Sequence, residues 1–438
     1  MRPFPTDPDE ILSAPFLPEP DWSEFARSIL SAVERIGRPG ERILVAESDP
    51  VAFVAVLMAG ISRGCDLFLA SPDWRDLEWE QVAETANFHR IIGECPLSAK
   101  GGVPGAGSCR IMVPTGGSSG SLRFCVHTPD TLTSAVRSLS AHLGGGPLSS
   151  LNCLPLFHVS GLMQVIRAIL TGGVVNFARW KSLECGDFGP EVSETKSISL
   201  VSTQLARILQ VEGGPEWLKQ FGRIFLGGGE TGPGWIEAIR DHGIPVQFAY
   251  GMTETAAMIA LGEAEEVDES STVWARPLPG VKIGLTGAGE IEVETASLFH
   301  GNYPESSGMS LFRTGDLGRM DRKGKLAVLG RKDFVINTGG EKVNPSEVEA
   351  AILRHSPAVF PVALGLPDPE WGERLVAVLE GAPAQIDVAA LEEALKKTLA
   401  PQNIRTQFIT GIALPRTASG KVDHARLKME LEIQMHPR

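Results

Sequence analysis

Apolar residues follow two different spacings along most of the chain. Short runs rich in β-branched residues predict strands, whereas apolar residues that recur every three or four positions predict helices. The predicted strands are RILVAES, DLFLAS, CRIMVPT, SISLVST, GRIFLGG and PVQFAYG, with helical patterns such as TLTSAVRSLSAHL and GWIEAIRDHG between them. This alternation predicts an α/β fold with layered, mostly parallel sheets.

The first helix is predicted near Asp21. Asp21 can cap the helix, and Glu24 follows three residues later. Apolar residues then recur with helical spacing at Phe25, Ile29, Leu30, Val33 and Ile36.

The pattern changes twice in the second half of the chain. From about Val281 the strands VKIGL, EIEVE and GKLAVLG follow one another without helices, which predicts a small β-barrel-like subdomain. After Gly330 the order is strand DFVIN, helix PSEVEAAILRH, strands VFPVALGL and RLVAVLEG, and helix VAALEEALKKTLA. We therefore predict a large N-terminal domain over 1–330 and a small, mobile α+β domain over 331–438, with a hinge near 331–333.

Composition narrows the class of protein. The chain has 438 residues, 43% hydrophobic and 21% charged, so it can bury sizeable cores and should be globular. Its net charge of −13 argues against nucleic acid as a partner. The six cysteines are scattered, which favours free thiols in a reducing compartment. The N-terminus carries no signal-peptide pattern and the longest apolar run is VAFVAVLMAGI, so we expect a cytoplasmic protein without membrane contact.

A loop rich in glycine and serine follows the strand CRIMV. Its sequence, PTGGSSGSLRF over Pro114–Phe124, offers backbone N–H groups and hydroxyls that can approach a polyphosphate. It is not a Walker A loop, because GxxxxGK[ST] is absent. The alternative is a surface turn.

A GxGxxG pattern occurs in FLGGGETG, at Gly227, Gly229 and Gly232. Its place after a strand and before a helix suggests a dinucleotide site. The next strand, VQFAY, does not end in the acidic residue that would hold a ribose. The hypothesis of a nicotinamide-dependent dehydrogenase therefore rests on this pattern alone.

Two further motifs carry carboxylates that could serve a nucleotide. In YGMTET, Tyr250 can stack on a base and Glu254 can hold a magnesium ion. In RTGDLG, Asp316 is predicted on a tight turn, where a carboxylate suits a ribose diol. The alternatives are a polar loop that caps a helix and an ordinary turn.

The last two motifs lie in the predicted C-terminal domain. GRKDFVINTGGEKVNPSEVE, from Gly330 to Glu349, suits a hinge or a solvated linker. LPRTASGKVDHARLK presents Lys421 in an irregular stretch, where it could neutralise developing negative charge or serve only as a solubilising charge.

The six motifs together, from about Ile111 to Lys428, resemble the adenylate-forming superfamily of acyl-CoA synthetases, adenylation domains and luciferases. The resemblance implies that the large domain binds ATP and a carboxylic acid. The small domain would supply one lysine and then rotate for a second half-reaction with coenzyme A. ATP, Mg²⁺ and coenzyme A are therefore expected, and the small-molecule substrates are the expected partners.

The resemblance also assigns residues. The ATP-binding positions would be Thr115, Gly116, Gly117, Ser118, Ser119, Gly120 and Arg123 of the phosphate loop, Gly227, Gly228, Gly229, Tyr250 and Gly251 around adenine, and Asp316 and Arg331 at the ribose. Thr253 resembles the α-phosphate contact, Glu254 the metal ligand and Lys421 the catalytic lysine. Asp333 resembles the hinge, and Gly339, Gly340, Glu341 and Lys342 resemble the segment that enters the site for thioester formation.

Two features separate this chain from most of the superfamily. Leu122-Arg123 stand where the family has Pro-Lys, and the region before Ile111 is short. The variant loop and the compact length resemble the 2-succinylbenzoate–CoA ligases of menaquinone and phylloquinone synthesis.

An arginine in an apolar run bears on the acid. LPLFHVSGLMQVIRAIL contains His158 and Arg167, and a buried arginine needs an anionic partner or a route to solvent. 2-Succinylbenzoate has two carboxylates, of which one must react and the other needs a cation. Arg167 is the predicted contact of this second carboxylate, with His158 beside it. Ser202, Thr203 and Gln204 are predicted to line the same pocket. The alternative is that Arg167 extends to the surface.

Other functions stay open at this stage. The chain could be another aryl or aliphatic acyl-CoA ligase of the superfamily. It could also be a nucleotide-binding homologue that has lost turnover through the altered phosphate loop. A homodimer is one assembly that the sequence leaves open.

Overall fold

The computed structural model describes most of the chain. The described residues are 1–5, 7–36, 38–102, 104–105, 107, 109–116, 122–189, 196–227, 233–268, 272–305, 308–356, 359–381, 386–398, 406–416 and 422–435. The predicted positions Gly117, Ser118, Ser119, Gly120, Gly228, Gly229 and Lys421 lie outside them.

The first layer is a five-stranded sheet with order β3-β1-β2-β4-β5. Its pairs are parallel except β4 with β5, which form an antiparallel hairpin that ends in the predicted phosphate loop. The elements are α1 (Pro8–Leu12), α2 (Asp21–Arg35), β1 (Arg42–Ala46), α3 (Pro50–Ser62), β2 (Asp66–Leu69), α4 (Asp76–Thr85), β3 (Arg90–Gly93), β4 (Ile111–Gly116), β5 (Leu122–His127) and α5 (Pro129–His142).

The start of α2 differs from the prediction. Asp21 is the first helical residue rather than the cap, and Pro20 occupies the N-cap position without a side-chain hydrogen bond. The reason is that the φ of Pro20, −84°, already suits the start of a helix. Asp21 still lies in the first turn, where its charge favours the helix dipole.

The second layer is a seven-stranded sheet with order β12-β11-β10-β9-β8-β6-β7. The five strands from β10 to β7 are parallel, whereas β11 and β12 are antiparallel. The elements are β6 (Ser149–Asn152), α6 (Val159–Thr171), β7 (Val175–Phe177), α7 (Trp180–Glu184), β8 (Lys196–Val201), α8 (Ser202–Leu209), α9 (Gly214–Leu218), β9 (Arg223–Gly227), α10 (Pro233–His242), β10 (Val246–Met252), 3-10 helix Thr253–Thr255, β11 (Ala257–Glu263), 3-10 helix Ala264–Glu266 and β12 (Arg276–Pro277).

A four-stranded antiparallel sheet follows. It contains β13 (Lys282–Leu285), β14 (Glu290–Glu294), β15 (Phe312–Met320) and β16 (Leu326–Arg331) in that order. The tight turn predicted for Asp316 is wrong, because Asp316 lies within β15 and pairs with Arg331. Gly315, with φ +75°, kinks the strand without ending it, and only glycine adopts that backbone readily.

The last sheet has the order β18-β17-β20-β19, with β21 beside β20. Its region contains 3-10 helix Lys332–Phe334, β17 (Ile336–Thr338), β18 (Glu341–Val343), α11 (Pro345–His355), β19 (Phe360–Asp368), β20 (Gly372–Glu380), α12 (Val388–Thr398), β21 (Thr406–Thr410) and α13 (His424–Met435). The predicted strand DFVIN is therefore partly wrong, since its first half is helical. The change of sheet falls between Arg331 and Ile336, and the hinge motion there stays a prediction.

The apolar run that was too short for a membrane is a core helix. Ten of the residues of α3 are buried, which suits a helix that is apolar on all sides. Among the described residues, no helix is long and apolar enough to cross a membrane. All six cysteines are free. The predicted α/β class, with a small sheet and a separate α+β C-terminal region, is confirmed.

Candidate functional site

Several predicted residues lie at the carboxyl edge of the parallel strands in the second sheet. The register aligns Val201 with Gly227 and Gly227 with Ala249, so the segments that follow these residues emerge at one edge. Loops at this edge are the usual ligand sites of α/β proteins. A Cβ atom on Gly227 would lie 3.3 Å from the Ala249 carbonyl oxygen, so the chain is closely packed where the adenine pocket was predicted.

The motif YGMTET spans the end of β10 and the turn after it. Tyr250 and Gly251 are still in the strand, whereas Thr253 and Glu254 begin the 3-10 helix. Gly251 permits this turn, because a Cβ atom there would lie 1.9 Å from the carbonyl oxygen of Ala257. Ala256 and Ala257 have φ of +53° and +80°, and such strained backbone is typical of functional sites.

Asp316 is a buried carboxylate at the centre of a group of polar side chains. The Tyr250 hydroxyl donates to its Oδ2 at 2.8 Å, and Nη1 of Arg331 donates to its Oδ1 at 3.3 Å. Nη2 of Arg331 reaches Oδ2 of Asp333 at 2.9 Å. The structure therefore brings the two predicted ribose residues, the predicted adenine residue and the predicted hinge residue together.

Burial raises the pKa values of two members of this group. It raises the pKa of Asp316, although the Tyr250 hydroxyl and the Arg331 charge oppose the rise. Burial also raises the pKa of Tyr250, so the hydroxyl keeps its proton and remains a donor. A ribose diol, which both donates and accepts hydrogen bonds, matches a carboxylate of this kind.

Glu254 lies within electrostatic reach of the same group. Burial raises the pKa of its carboxyl, and the charges of Arg331 and Arg123 partly offset this effect. A buried carboxylate near polyphosphate would suit Mg²⁺, which takes one or two carboxylates together with phosphate oxygens and water. Within the described ranges, no group of three or more His, Cys, Asp or Glu side chains could hold a metal ion.

The ends of the phosphate loop are described, although its centre is not. Thr115 pairs with Arg123 and Gly116 with Leu122 across the β4–β5 hairpin. Arg123 is exposed beside the loop and acts electrostatically on Glu254. The hairpin thus places Arg123 where its charge acts on Glu254.

Arg167 is buried in the middle of α6. It is 6% exposed, which excludes the predicted alternative of a side chain that extends to the surface. Its guanidinium lies 5.8 Å from the centre of the Phe225 ring, and its Nε has no hydrogen-bond partner among the described residues. Burial lowers the pKa of Arg167 to about 10, so it is charged at neutral pH. A buried cation with an unused donor is suited to bind an anion.

The other predicted acid-pocket residues lie on two segments near the sheet. His158 is the N-cap of α6, and its ring centre lies 4.4 Å from that of Phe157. Thr203 and Gln204 are buried in the first turn of α8, where Oε1 of Gln204 accepts from the Val201 amide at 3.0 Å. Oγ of Ser202 is buried and has no partner in the part of the chain that the structure describes. Ser202 is therefore the one of these side chains best placed to meet a polar ligand.

Gly339 and Gly340 form a two-residue hairpin between β17 and β18. Both have positive φ, +60° and +85°, as the mirror-image turns of tight hairpins require. A Cβ atom on Gly339 would lie 2.6 Å from the Trp371 ring. Lys342 is exposed on β18. No hydrogen bond or ion pair of the described residues links this hairpin to Asp316 or Glu254, and its entry into the site for thioester formation stays a prediction.

Sequence reasoning missed His127, Thr131 and Thr255. Nε2 of His127 lies 2.7 Å from the carbonyl oxygen of Thr253, and its Nδ1 lies 3.0 Å from Oγ1 of Thr131. Oγ1 of Thr255 lies 2.8 Å from the Ala257 carbonyl oxygen. The histidine in the apolar run FCVHT was the only sequence signal available, since a polar residue in a buried strand needs a partner.

The Asp316 group gives a first prediction. Asp316→Asn replaces a charged hydrogen-bond acceptor, the carboxylate, with a neutral amide. We therefore expect the KM for ATP to rise roughly 10- to 100-fold. Tyr250→Phe removes a neutral hydrogen bond and should raise it by roughly 10-fold or less. Steady-state kinetics at saturating acid measure both. An unchanged KM for ATP in Asp316→Asn would place the ribose elsewhere.

Two regions of the chain match known protein families. Residues 98–297 match the AMP-binding enzyme family, and residues 347–421 match the AMP-binding enzyme C-terminal domain. The 2-succinylbenzoate–CoA ligase of Listeria monocytogenes is 29% identical over 286 residues, or 64% of this chain and 61% of that relative. The chain thus aligns with less than two thirds of that curated relative.

A second relative is covered more fully. The 2-succinylbenzoate–CoA ligase of Lactococcus lactis is 30% identical over 368 residues, which are 81% of this chain and 78% of the relative. Among solved structures, o-succinylbenzoate CoA synthetase (MenE) from Bacillus subtilis, in complex with the acyl-adenylate intermediate OSB-AMP, has a TM-score of 0.78. It is 23% identical and covers 93% of each chain, so it shows the shared fold. The resemblance inferred from the motifs is confirmed, and this chain belongs to the adenylate-forming family of AMP-binding enzymes.

Proposed function

We propose that this protein is an AMP-forming acid–thiol ligase that joins 2-succinylbenzoate to coenzyme A through an acyl-adenylate. The observation that carries the choice of acid is Arg167, a buried cation whose Nε has no partner among the described residues. 2-Succinylbenzoate has two carboxylates, of which one reacts and the other needs a cation. The named relatives from Listeria and Lactococcus support the same substrate.

In the first half-reaction, a carboxylate oxygen of the acid attacks the α-phosphorus of ATP and pyrophosphate leaves. Asp316 and Arg331, already joined by an ion pair, would hold the ribose. Thr253 would contact the α-phosphate, and Glu254 would hold Mg²⁺. A Mg²⁺ ion held by Glu254 would supply positive charge that stabilises the phosphate oxygens.

Lys421 would add a further positive charge in this step. Because negative charge develops on the nonbridging and leaving oxygens, a lysine held against them stabilises the transition state more than the ground state. Lys421 lies outside the described residues, so its role rests on the family motif alone.

In the second half-reaction, the thiolate sulfur of coenzyme A attacks the carbonyl carbon of the adenylate. A thioester bond forms, the bond from the carbonyl carbon to the phosphate oxygen breaks, and AMP leaves. The hairpin of Gly339 and Gly340 with Lys342 would enter the site after rotation about Asp333. We expect the reaction to take place in the cytoplasm, and a homodimer stays an open possibility.

Product analysis tests the reaction class. With ATP, Mg²⁺, 2-succinylbenzoate and coenzyme A, we expect AMP, pyrophosphate and one acyl-CoA thioester in equal amounts, measured by chromatography and mass spectrometry. ADP and phosphate as products would overturn the adenylate mechanism. A thioester formed only from another acid would be consistent with the adenylate mechanism and would favour the alternative of a different acyl-CoA ligase.

A further inference from the structure

His127 ends strand β5 and is completely buried. Its Nε2 lies 2.7 Å from the carbonyl oxygen of Thr253, and its Nδ1 lies 3.0 Å from Oγ1 of Thr131. A carbonyl oxygen can only accept, so Nε2 must carry the hydrogen. Nδ1 of the neutral ring is then an acceptor beside the Thr131 hydroxyl, whose single hydrogen also has the Thr128 carbonyl oxygen within reach at 3.0 Å. Burial lowers the pKa of His127 to about 4, which agrees with a neutral ring.

The carbonyl that His127 holds belongs to the turn with Glu254. The next carbonyl, that of Glu254, accepts from the Phe299 amide at 2.8 Å. Thr255 is held by its own side chain, whose Oγ1 bonds the Ala257 carbonyl oxygen at 2.8 Å. Of these three contacts, only the bond from His127 reaches the turn through a side chain of another element. It can therefore be removed without changing the turn sequence.

His127 shares its strand with Arg123. Arg123 and His127 are four residues apart on β5, so their side chains leave the same face of the strand. Arg123 acts electrostatically on Glu254, while His127 bonds the residue before Glu254. One strand face thus carries a charge that lowers the pKa of Glu254 at one end and a hydrogen bond to the turn at the other.

We propose that His127 is a positioning residue of the adenylation site, which fixes the Thr253–Glu254 turn relative to β5 through its Nε2–H bond to the Thr253 carbonyl. The inference rests on the proposed function. The inference adds to the proposed site a residue that does not touch the substrates. Without this bond, we expect the turn to be less firmly placed for the α-phosphate and the metal.

Three variants separate the two ring nitrogens. His127→Gln can keep a donor near the Nε2 position, His127→Asn can keep only the acceptor near Nδ1, and His127→Leu keeps neither. We expect His127→Asn and His127→Leu to lower kcat for ATP–pyrophosphate exchange by roughly 10- to 100-fold. His127→Gln should retain more than a third of the activity. The KM for the acid should stay within about twofold in all three, because the acid pocket is built by other residues.

Melting temperatures distinguish positioning from folding. All three variants lose a packed ring, so a purely structural role predicts activity that follows the melting temperature, with no rescue by Gln. Rescue by Gln at a melting temperature similar to that of Asn supports the proposal. Equal losses in Gln and Asn would overturn it.

The test also works if the proposed function fails. If the unaltered protein shows no pyrophosphate exchange with any of the acids, the ligase assignment is wrong. The positioning role is then measured by equilibrium binding of ATP with and without Mg²⁺. Weaker binding with Mg²⁺ in His127→Leu, restored in His127→Gln, would support the role, and unchanged binding in both would overturn it.

Discussion

Arg167→Met should lower kcat/KM for 2-succinylbenzoate by roughly 30- to 4,000-fold, because removing one partner of a buried charge pair costs about 2–5 kcal/mol. The same change should raise the melting temperature of the unliganded protein. The guanidinium is buried, its Nε has no partner among the described residues, and an apolar side chain of similar length removes the cost of burying the charge. Steady-state kinetics and thermal unfolding without ligand measure the two effects.

Matched variants make this prediction specific. Arg207→Met changes an exposed arginine on α8 that already pairs with Glu184, and it should leave kcat/KM within about twofold. Arg167→Lys keeps the charge without the planar fork and should fall between the unaltered protein and Arg167→Met. If Arg167→Met kept full activity, the second carboxylate would bind elsewhere. If it lowered the melting temperature, the buried charge would have a partner.

The sign of the pH dependence follows from the lowered pKa. Arg167 has a pKa of about 10 in the folded protein against an ordinary value of 12.5. Between these values the unfolded chain binds more protons than the folded one, so the free energy of unfolding contributed by this group rises with pH. Arg167→Met should lose this contribution. A bound carboxylate should also reduce it, because it favours the charged guanidinium.

The second large effect is expected for Glu254→Gln. Losing a metal ligand removes several kcal/mol of charge stabilisation, so adenylate formation should slow by roughly 100-fold or more. The Mg²⁺ concentration for half-maximal rate should rise as well. Single-turnover rates of pyrophosphate release, measured over a range of Mg²⁺ concentrations, test both.

The fold should tolerate this change. Burial raises the pKa of Glu254, so the protonated carboxyl is tolerated at low pH, and the free energy of unfolding falls as the pH rises through the raised pKa and the buried group becomes charged. Glu254→Gln should therefore not lower the melting temperature at neutral pH. Glu294→Gln, at an exposed glutamate paired with Lys282, is the control and should change neither rate nor Mg²⁺ requirement. An unchanged Mg²⁺ requirement in Glu254→Gln would contradict the assignment.

Periodicity predicted the elements well where the pattern of apolar residues is local. The strands RILVAES and DLFLAS and the helix PSEVEAAILRH occur as β1, β2 and α11. The errors came from backbone details that single residues decide. Gly315 lets β15 continue through a kink at Asp316, and Pro20 takes the cap position expected for Asp21.

The site was predicted unevenly for a similar reason. Asp316, Arg331 and Tyr250 were found through motifs, and the structure joins them by hydrogen bonds. His127 escaped because its bond crosses 126 positions to Thr253, and no local pattern encodes such a contact. Lys421 and the centre of the phosphate loop lie outside the described residues, so their roles stay predictions.

The most direct test of the central claim is pyrophosphate release from ATP and Mg²⁺ with 2-succinylbenzoate, benzoate, succinate or a fatty acid, each with and without coenzyme A. We expect sustained release with 2-succinylbenzoate and coenzyme A, together with its CoA thioester, and little release with the other three acids. Release with another acid but not with 2-succinylbenzoate would contradict the choice of substrate. Binding of ATP without release for any acid would contradict the ligase itself and favour a nucleotide-binding protein without turnover.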